Sequence, residues 1–493
     1  MVLQTYQLWY KILFMKRNLH IFIVLLNLII FIPLFSCAVN PVSGEREFML
    51  VSEEQEVAIG KEAAPSLKWE FGGPYEDRAL EAYLDKIVRD LWKNSERPHL
   101  PVKFYIQNTS LPNAFALPGY VAITRGLLSE MENEAQFAAV MGHEIGHVMA
   151  RHTAKRISRM QMQQLGVAIG AAALEGKKGG DTLLAIGSMG SSLLLLKYDR
   201  DQEIQSDRLG VKYMSSLGYD PHEAISAHKV LEESVDNYVK RLGKSRSEDS
   251  FISGLLSTHP RAEVRLSEIQ EMIDKLPAYS LKKDGKFART FHSETRKLNE
   301  INKIYHIYDK AEQDYREKKY EEAEKGLQEA IKLNSSQAPF HNLHGFIKLQ
   351  QKKYDEADKA FGKALSISQS YQPSIYGRGL VYLYRENYDK AVVEFKKSLA
   401  EFPGHAQTHF GLGKSYYHMN QYKEAISYLA NFAQAVPEHP EIHGMLGICL
   451  EKTNDTAQAV MAYKNQLLVA PDTELGQHAK ARLAALEPAP VTK

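Results

Sequence analysis

Residues 141–152 read MGHEIGHVMARH, and three of them could act together. His143 and His147 stand four apart, about 400° of helical rotation, so both imidazoles project from one helix face. At that spacing they can share one tetrahedral Zn²⁺, with Glu144 in reach of a neighbouring water as general base. Zinc held this way would acidify the water and polarise a peptide carbonyl, which is metallopeptidase chemistry. The pentapeptide alone also suits two surface histidines on an ordinary helix, so the remaining ligand has to be found elsewhere. The metzincin spacing is excluded, because Thr153 holds the third-histidine position and Ala150 the glycine position. A downstream carboxylate is therefore needed. The stretch YDRDQEIQSDRLGVKYM, from Tyr198, supplies candidates. Glu203 and Asp207 share a helix face, so one can bind metal while the other orients a ligand. Asp199 and Asp201 are rivals on spacing alone. His152, nine positions past His143, falls about half a turn away and is expected to face elsewhere in a structural role.

The elements that must position these residues are legible around them. Ser52 followed by Gln55 predicts a capped helix over SEEQEVAIGKEAA. PVKFYIQNT and NAFALPGYVAITRG alternate like strands, with turn signals at Pro112-Asn113 and Pro118-Gly119. ENEAQFAAVMGHEIGHVMARH is one long helical pattern. The apolar stretches Leu165–Leu174 and Leu183–Leu196 are too short to span a bilayer and read as buried or interfacial helices.

Beyond about residue 278 the chain changes character. Tyr320, Tyr354, Tyr388 and Tyr422 each open a Tyr-x-x-Ala motif, 34 residues apart. Gly345, Gly379, Gly413 and Gly447 keep the same period, and Pro403, Pro437 and Pro471 mark repeat ends. Small residues at two fixed places in a 34-residue period are the tetratricopeptide signature. Gly and Ala sit where paired helices approach closely, and Pro stops the second helix. Five repeats are expected over 304–473, each of 34 residues from 304, with a capping helix and tail over 474–493. The segment 278–303 is polar without clear periodicity and reads as a linker.

Composition bounds the rest. The chain has 493 residues, too many for one core, and a net charge of +1 that gives no reason to expect a nucleic-acid partner. With two cysteines, Cys37 and Cys449, no disulfide framework is expected, and Cys449 suits a buried apolar position. Lys16 and Arg17, an apolar run from Ile21 to Phe35, and then Ser36-Cys37 make an export signal over 1–36, with Met15 a possible true start. Leu34-Phe35-Ser36-Cys37 resembles a bacterial lipobox, which would make Cys37 the lipidated N-terminus, and Ala38 after it favours the outer membrane.

NPVSGEREFMLVSEEQEVAIG, NAFALPGYVAITRGLL, GHEIGHVMARH, DRDQEIQSDRLG and STHPRAEVRLSEI together resemble the M48 zinc metallopeptidases. With the repeats, the chain is most similar to BepA-type envelope peptidases. The resemblance implies an α+β, mostly α, gluzincin-type domain over 37–277 with a small β-sheet, followed by the α-solenoid. It implies one zinc held by His143, His147 and Glu203, with Glu144 catalytic and Asp207 supporting. Asn113, Ala114 and Phe115 would form a strand edge that binds substrate as an added strand; an interior strand without that role is the alternative. His259, ahead of Pro260, would lie in a loop near the cleft, where it could displace the zinc water or simply pack structurally. The implied substrates are misfolded or stalled outer-membrane proteins, and the implied partner of the repeats is the outer-membrane assembly machinery, on the periplasmic side of the membrane. A chaperone or scaffold with proteolysis secondary is the rival function.

Cys37→Ser should abolish acylation. Palmitate labelling that persists undiminished in the serine variant would exclude Cys37 as the lipidated residue.

Overall fold

The computed structural model describes residues 37–175, 198–243 and 263–487. The export segment and His259 lie outside these residues. A short antiparallel ribbon, β1 (Cys37–Val39) with β2 (Arg46–Phe48), pairs Cys37 with Phe48 and leads into helix α1 (Glu53–Glu70). Ser52 caps α1 in a full capping box with Gln55, as the sequence indicated. In α2 (Arg78–Lys93) the apolar Leu80, Leu84, Ile87, Val88 and Leu91 recur at helical spacing and are all buried.

A three-stranded sheet follows, in the order β3 (Phe104–Gln107), β5 (Tyr120–Thr124), β4 (Ala114–Leu117). β3 runs parallel to β5, and β4 antiparallel to it through a turn at Gly119, whose φ of 85° suits glycine. That order leaves β4 at the edge. After the short α3 (Arg125–Leu128) comes α4 (Glu134–Met149), capped by Asn133 and buried along most of its length. Helices α5 (His152–Glu175), α6 (Arg200–Ser216), α7 (Glu223–Arg241) and α8 (Glu263–Asp274) complete the domain. α4 and α6 lie almost backbone to backbone. A Cβ on Gly142 would stand 3.0 Å from Gly210, and one on Gly146 would stand 3.1 Å from Ser206. Among the described residues no helix is long and apolar enough to cross a membrane.

Residues 288–303, which the sequence suggested were linker, are instead the first half of one long helix, α9 (Ala288–Arg316). Phe291 and Leu298 enter the same apolar core as the sheet and α4. Ile301 and Tyr305 enter the core of the first repeat. The apolar positions are thinly spread among charges, so their helical period is faint in sequence, yet one face is buried throughout.

The solenoid consists of paired helices: the end of α9 with α10 (Tyr320–Leu333), α11 (Ala338–Gln350) with α12 (Tyr354–Ile367), and α13 (Gln372–Tyr384) with α14 (Tyr388–Glu401). Then come α15 (Ala406–His418) with α16 (Tyr422–Ala435), α17 (Ile442–Lys452) with α18 (Thr456–Val469), and a last helix α19 (Glu474–Leu486). The repeating alanines Ala323, Ala357, Ala391, Ala425 and Ala459 are fully buried. The turn inside each helix pair places one non-glycine residue at positive φ: Lys318, Lys352, Glu386, Asn420 and Asn454. The array packs its loop edge on α1, where Trp69 meets Tyr371 edge-on at 5.7 Å and shares a small core with Phe402. Cys449 is a buried free thiol in α17.

The repeat glycines give a sharp packing test. The Phe395 ring is clamped between two of them, since a Cβ on Gly379 or on Gly411 would fall 2.5 Å from it. Gly379→Ala should therefore destabilise the array by about 1–3 kcal/mol. Gly362, mid-helix in α12 with nothing near its missing Cβ, should gain up to about 1 kcal/mol as alanine. Urea unfolding of the two variants measures both signs.

Candidate metal centre

The motif histidines point together from the C-terminal half of α4. His143 Nε2 and His147 Nε2 lie 3.1 Å apart, and Glu203 of α6 reaches them at 3.7 and 3.5 Å. Four ligands about 2.05 Å from zinc in a tetrahedron would stand about 3.3 Å from one another. The two imidazole nitrogens and the Glu203 carboxylate lie near that spacing, and the three residues are one of two His/carboxylate groups able to hold an ion among the described residues. Of the rival acids, Asp199 caps α6, accepting from the Gln202 N–H, and Asp201 is exposed in the first turn.

Asp207 sits one turn beyond Glu203 on α6 and accepts from His143 Nδ1 at 2.7 Å. That bond presents His143 Nε2 to the metal position. His228 of α7 meets the same carboxylate oxygen at 3.2 Å. Arg265 of α8 bonds both Asp207 oxygens, at 2.9 and 2.7 Å, and Glu203 at 2.7 Å. Burial by itself would raise the Asp207 carboxyl, but His228 and His143 hold it well below the usual carboxylate range. Burial likewise lowers His228, against the pull of Asp207, and it would lower Arg265 too, but Asp207 together with Glu203 and Glu144 raises the guanidinium. The second metal-capable group, His143, Asp207 and His228, is thus already a hydrogen-bonded cluster crossed by a guanidinium.

His152 does not face away. Its Nδ1 lies 2.9 Å from His147 Nδ1, and its Nε2 bonds Gln205 at 2.9 Å. Helical extrapolation failed because α4 ends at Met149 and Arg151 adopts φ 60°, turning the chain before α5 begins. On its other side the His147 ring stacks on Tyr198, with centroids 3.9 Å apart.

Glu144 is buried and borders an open hollow. Asn113 and Ala114 line one wall of that hollow, while Ala139, Val140, Val211 and Leu231 make much of it apolar. Asn113 is pinned by its N–H to Thr124 Oγ1 at 2.9 Å and by its carbonyl, which accepts from the Thr124 N–H at 2.9 Å. Phe115 points the opposite way, stacked on Tyr120 and packed against Phe71. Arg265 and His228 escaped the sequence reading. Arg265 stood in a quoted motif as a charge without an assigned partner; His228 offered no signal on an ordinary amphipathic helix.

Residues 78–273 match Peptidase family M48. The chain carries an M48 peptidase domain. Residues 338–371, 382–431 and 419–483 match tetratricopeptide repeat families. The M48 domain is similar to the mitochondrial metalloendopeptidase OMA1 of Schizosaccharomyces pombe, at 29% identity over 47% of this chain and 65% of that one. It is also similar to the beta-barrel assembly-enhancing protease of Yersinia pestis, at 25% identity over 46% of this chain and 45% of that one. The chain thus spans between about half and two thirds of these relatives' length. The repeats resemble YrrB, a TPR protein with a peptide-binding site, at 22% identity, covering 38% of this chain and 97% of that one, with a TM-score of 0.32.

In the M48 domain, Asp207→Asn should weaken metal-ion binding at this group about 10- to 100-fold by releasing His143, which competition with a chelator would read. Arg265→Met should destabilise the metal-free protein by about 3–5 kcal/mol, because two buried carboxylates lose their counter-charge. Denaturant unfolding in the presence of chelator measures that loss.

Proposed function

We propose that the protein is a zinc endopeptidase of a bacterial cell envelope, held at the outer membrane through Cys37 and cleaving misfolded or stalled outer-membrane proteins. The convergence of His143, His147 and Glu203 beside Glu144, at the mouth of a hollow bordered by a strand edge, carries this reading. Zinc held there supplies a Lewis acid and an acidified water. Glu144, beside these ligands, would hold and move a proton at its carboxylate, as general base and then as general acid. Ala114 at the start of β4, placed by the pinned Asn113 before it, holds the substrate in extended form through its backbone, which selects unfolded chain over folded protein. The neighbouring apolar hollow receives one aliphatic side chain beside the cleaved bond. Asp207 and Arg265 keep the ligands oriented and the buried charge balanced.

Relatives named as beta-barrel assembly-enhancing proteases support the envelope assignment, together with the lipobox-like Cys37. The repeat array supports a partner-binding role, with outer-membrane assembly machinery as its partner.

Glu144→Gln should keep its zinc and its fold yet lose more than about 10²-fold in cleavage of casein. Wild-type rates in a zinc-loaded Glu144→Gln protein would reject this mechanism.

A further inference from the structure

The strand edge that accepts substrate is itself held by the repeat domain, through one buried cation. Arg125 directly follows Thr124, the residue that pins Asn113, and is fully buried. Its Nε donates to Asn108 Oδ1 at 3.0 Å and its Nη2 to Ser110 Oγ at 2.6 Å. Both acceptors lie on the loop that runs from β3 into β4. The third donor, Nη1, reaches Asn302 of α9, and the guanidinium lies over the ring of Tyr305, 3.7 Å from its centroid. The Tyr305 hydroxyl accepts from Asn108 Nδ2 at 2.7 Å and donates to Gln337, at the threshold of α11, at 2.8 Å. Asp309, two turns after Asn302 on α9, bonds Ser110 and keeps one buried oxygen without a partner.

We propose that Arg125 is a positioning residue through which α9 and the first repeat set the placement of the β4 edge in the peptidase cleft. A buried guanidinium is tolerated only where its donors are met and its charge is offset. The peptidase domain supplies Asn108 and Ser110, while the third acceptor, the aromatic face and the nearest acid all come from α9. Withdrawing α9 would leave Arg125 short of partners in an apolar junction, and its route to water carries the 108–111 loop with it. That loop ends at Asn113, so a shift there displaces the start of β4 relative to Glu144. β4 has β5 as its only strand partner among the described residues, so its outer side has no second strand to resist such a shift. The repeats thereby become part of the cleft's scaffold, and a protein bound to them could alter how substrate is held.

This rests on reading β4 as the substrate edge. The variants to measure in the full chain are Tyr305→Phe, which loses the hydroxyl bridge but keeps the ring, and Asn302→Leu, with Arg125→Lys as the conservative replacement. Expected is a rise of about tenfold in KM for long extended peptides, with kcat and zinc content unchanged and little effect on peptides too short to run along β4. Amide exchange over 114–117 should quicken in the same variants. Folded, zinc-loaded Tyr305→Phe and Asn302→Leu proteins with wild-type KM at every peptide length would overturn the proposal, even if their Tm falls. Should the wild type cleave nothing, the peptidase reading fails separately, and unchanged exchange over 114–117 then overturns the positioning role on its own.

Discussion

Two carboxylates buried one helical turn apart constrain everything else in the peptidase domain. Glu203 is wholly inaccessible and Asp207 nearly so. Neither can remain charged there without cations close by, because burying an uncompensated carboxylate costs far more than folding returns. Arg265 is the cation that answers both, and His143 and His228 lie within hydrogen-bond reach of Asp207. The compensation draws on four helices, α4, α6, α7 and α8, so the charges dictate how those helices must meet.

Meeting so closely requires small residues. Gly142 and Gly146 on α4 face Gly210 and Ser206 on α6 so closely that an added carbon would force the neighbouring backbone to give way. The glycines of the motif helix thus let α6, which carries Glu203, lie close against the two histidines' helix. The same device serves the solenoid, where Gly345, Gly379, Gly413 and Gly447 each receive a ring or a leucine from the following helix. One physical rule, close backbone approach at glycine, builds both the catalytic half and the repeats.

The two halves are also joined more intimately than a linker would join them. Helix α9 belongs to both cores, contributing Phe291 and Leu298 to one and Tyr305 to the other. A further seam lies at α1, where Trp69 meets Tyr371 and Lys68 reaches Glu401 at 3.4 Å. The half-buried Lys68–Glu401 pair adds little stability by itself, whereas the aromatic contact and the buried Arg125 fix the geometry of the join.

Local pattern was enough for much of this. The His143/His147 spacing, the acids four apart on α6, the Ser52 cap and the 34-residue period all depend on neighbours along one element, where sequence distance and spatial distance agree. Three things were decided only when elements packed. Arg265 and His228 became partners of Asp207 from separate helices, with no spacing to announce them. His152 moved beside His147 because Arg151 takes a left-handed turn that helical periodicity cannot anticipate. The first half of α9 became helix because its sparse apolar residues found a core to enter, and burial by a distant surface overrides a weak local period.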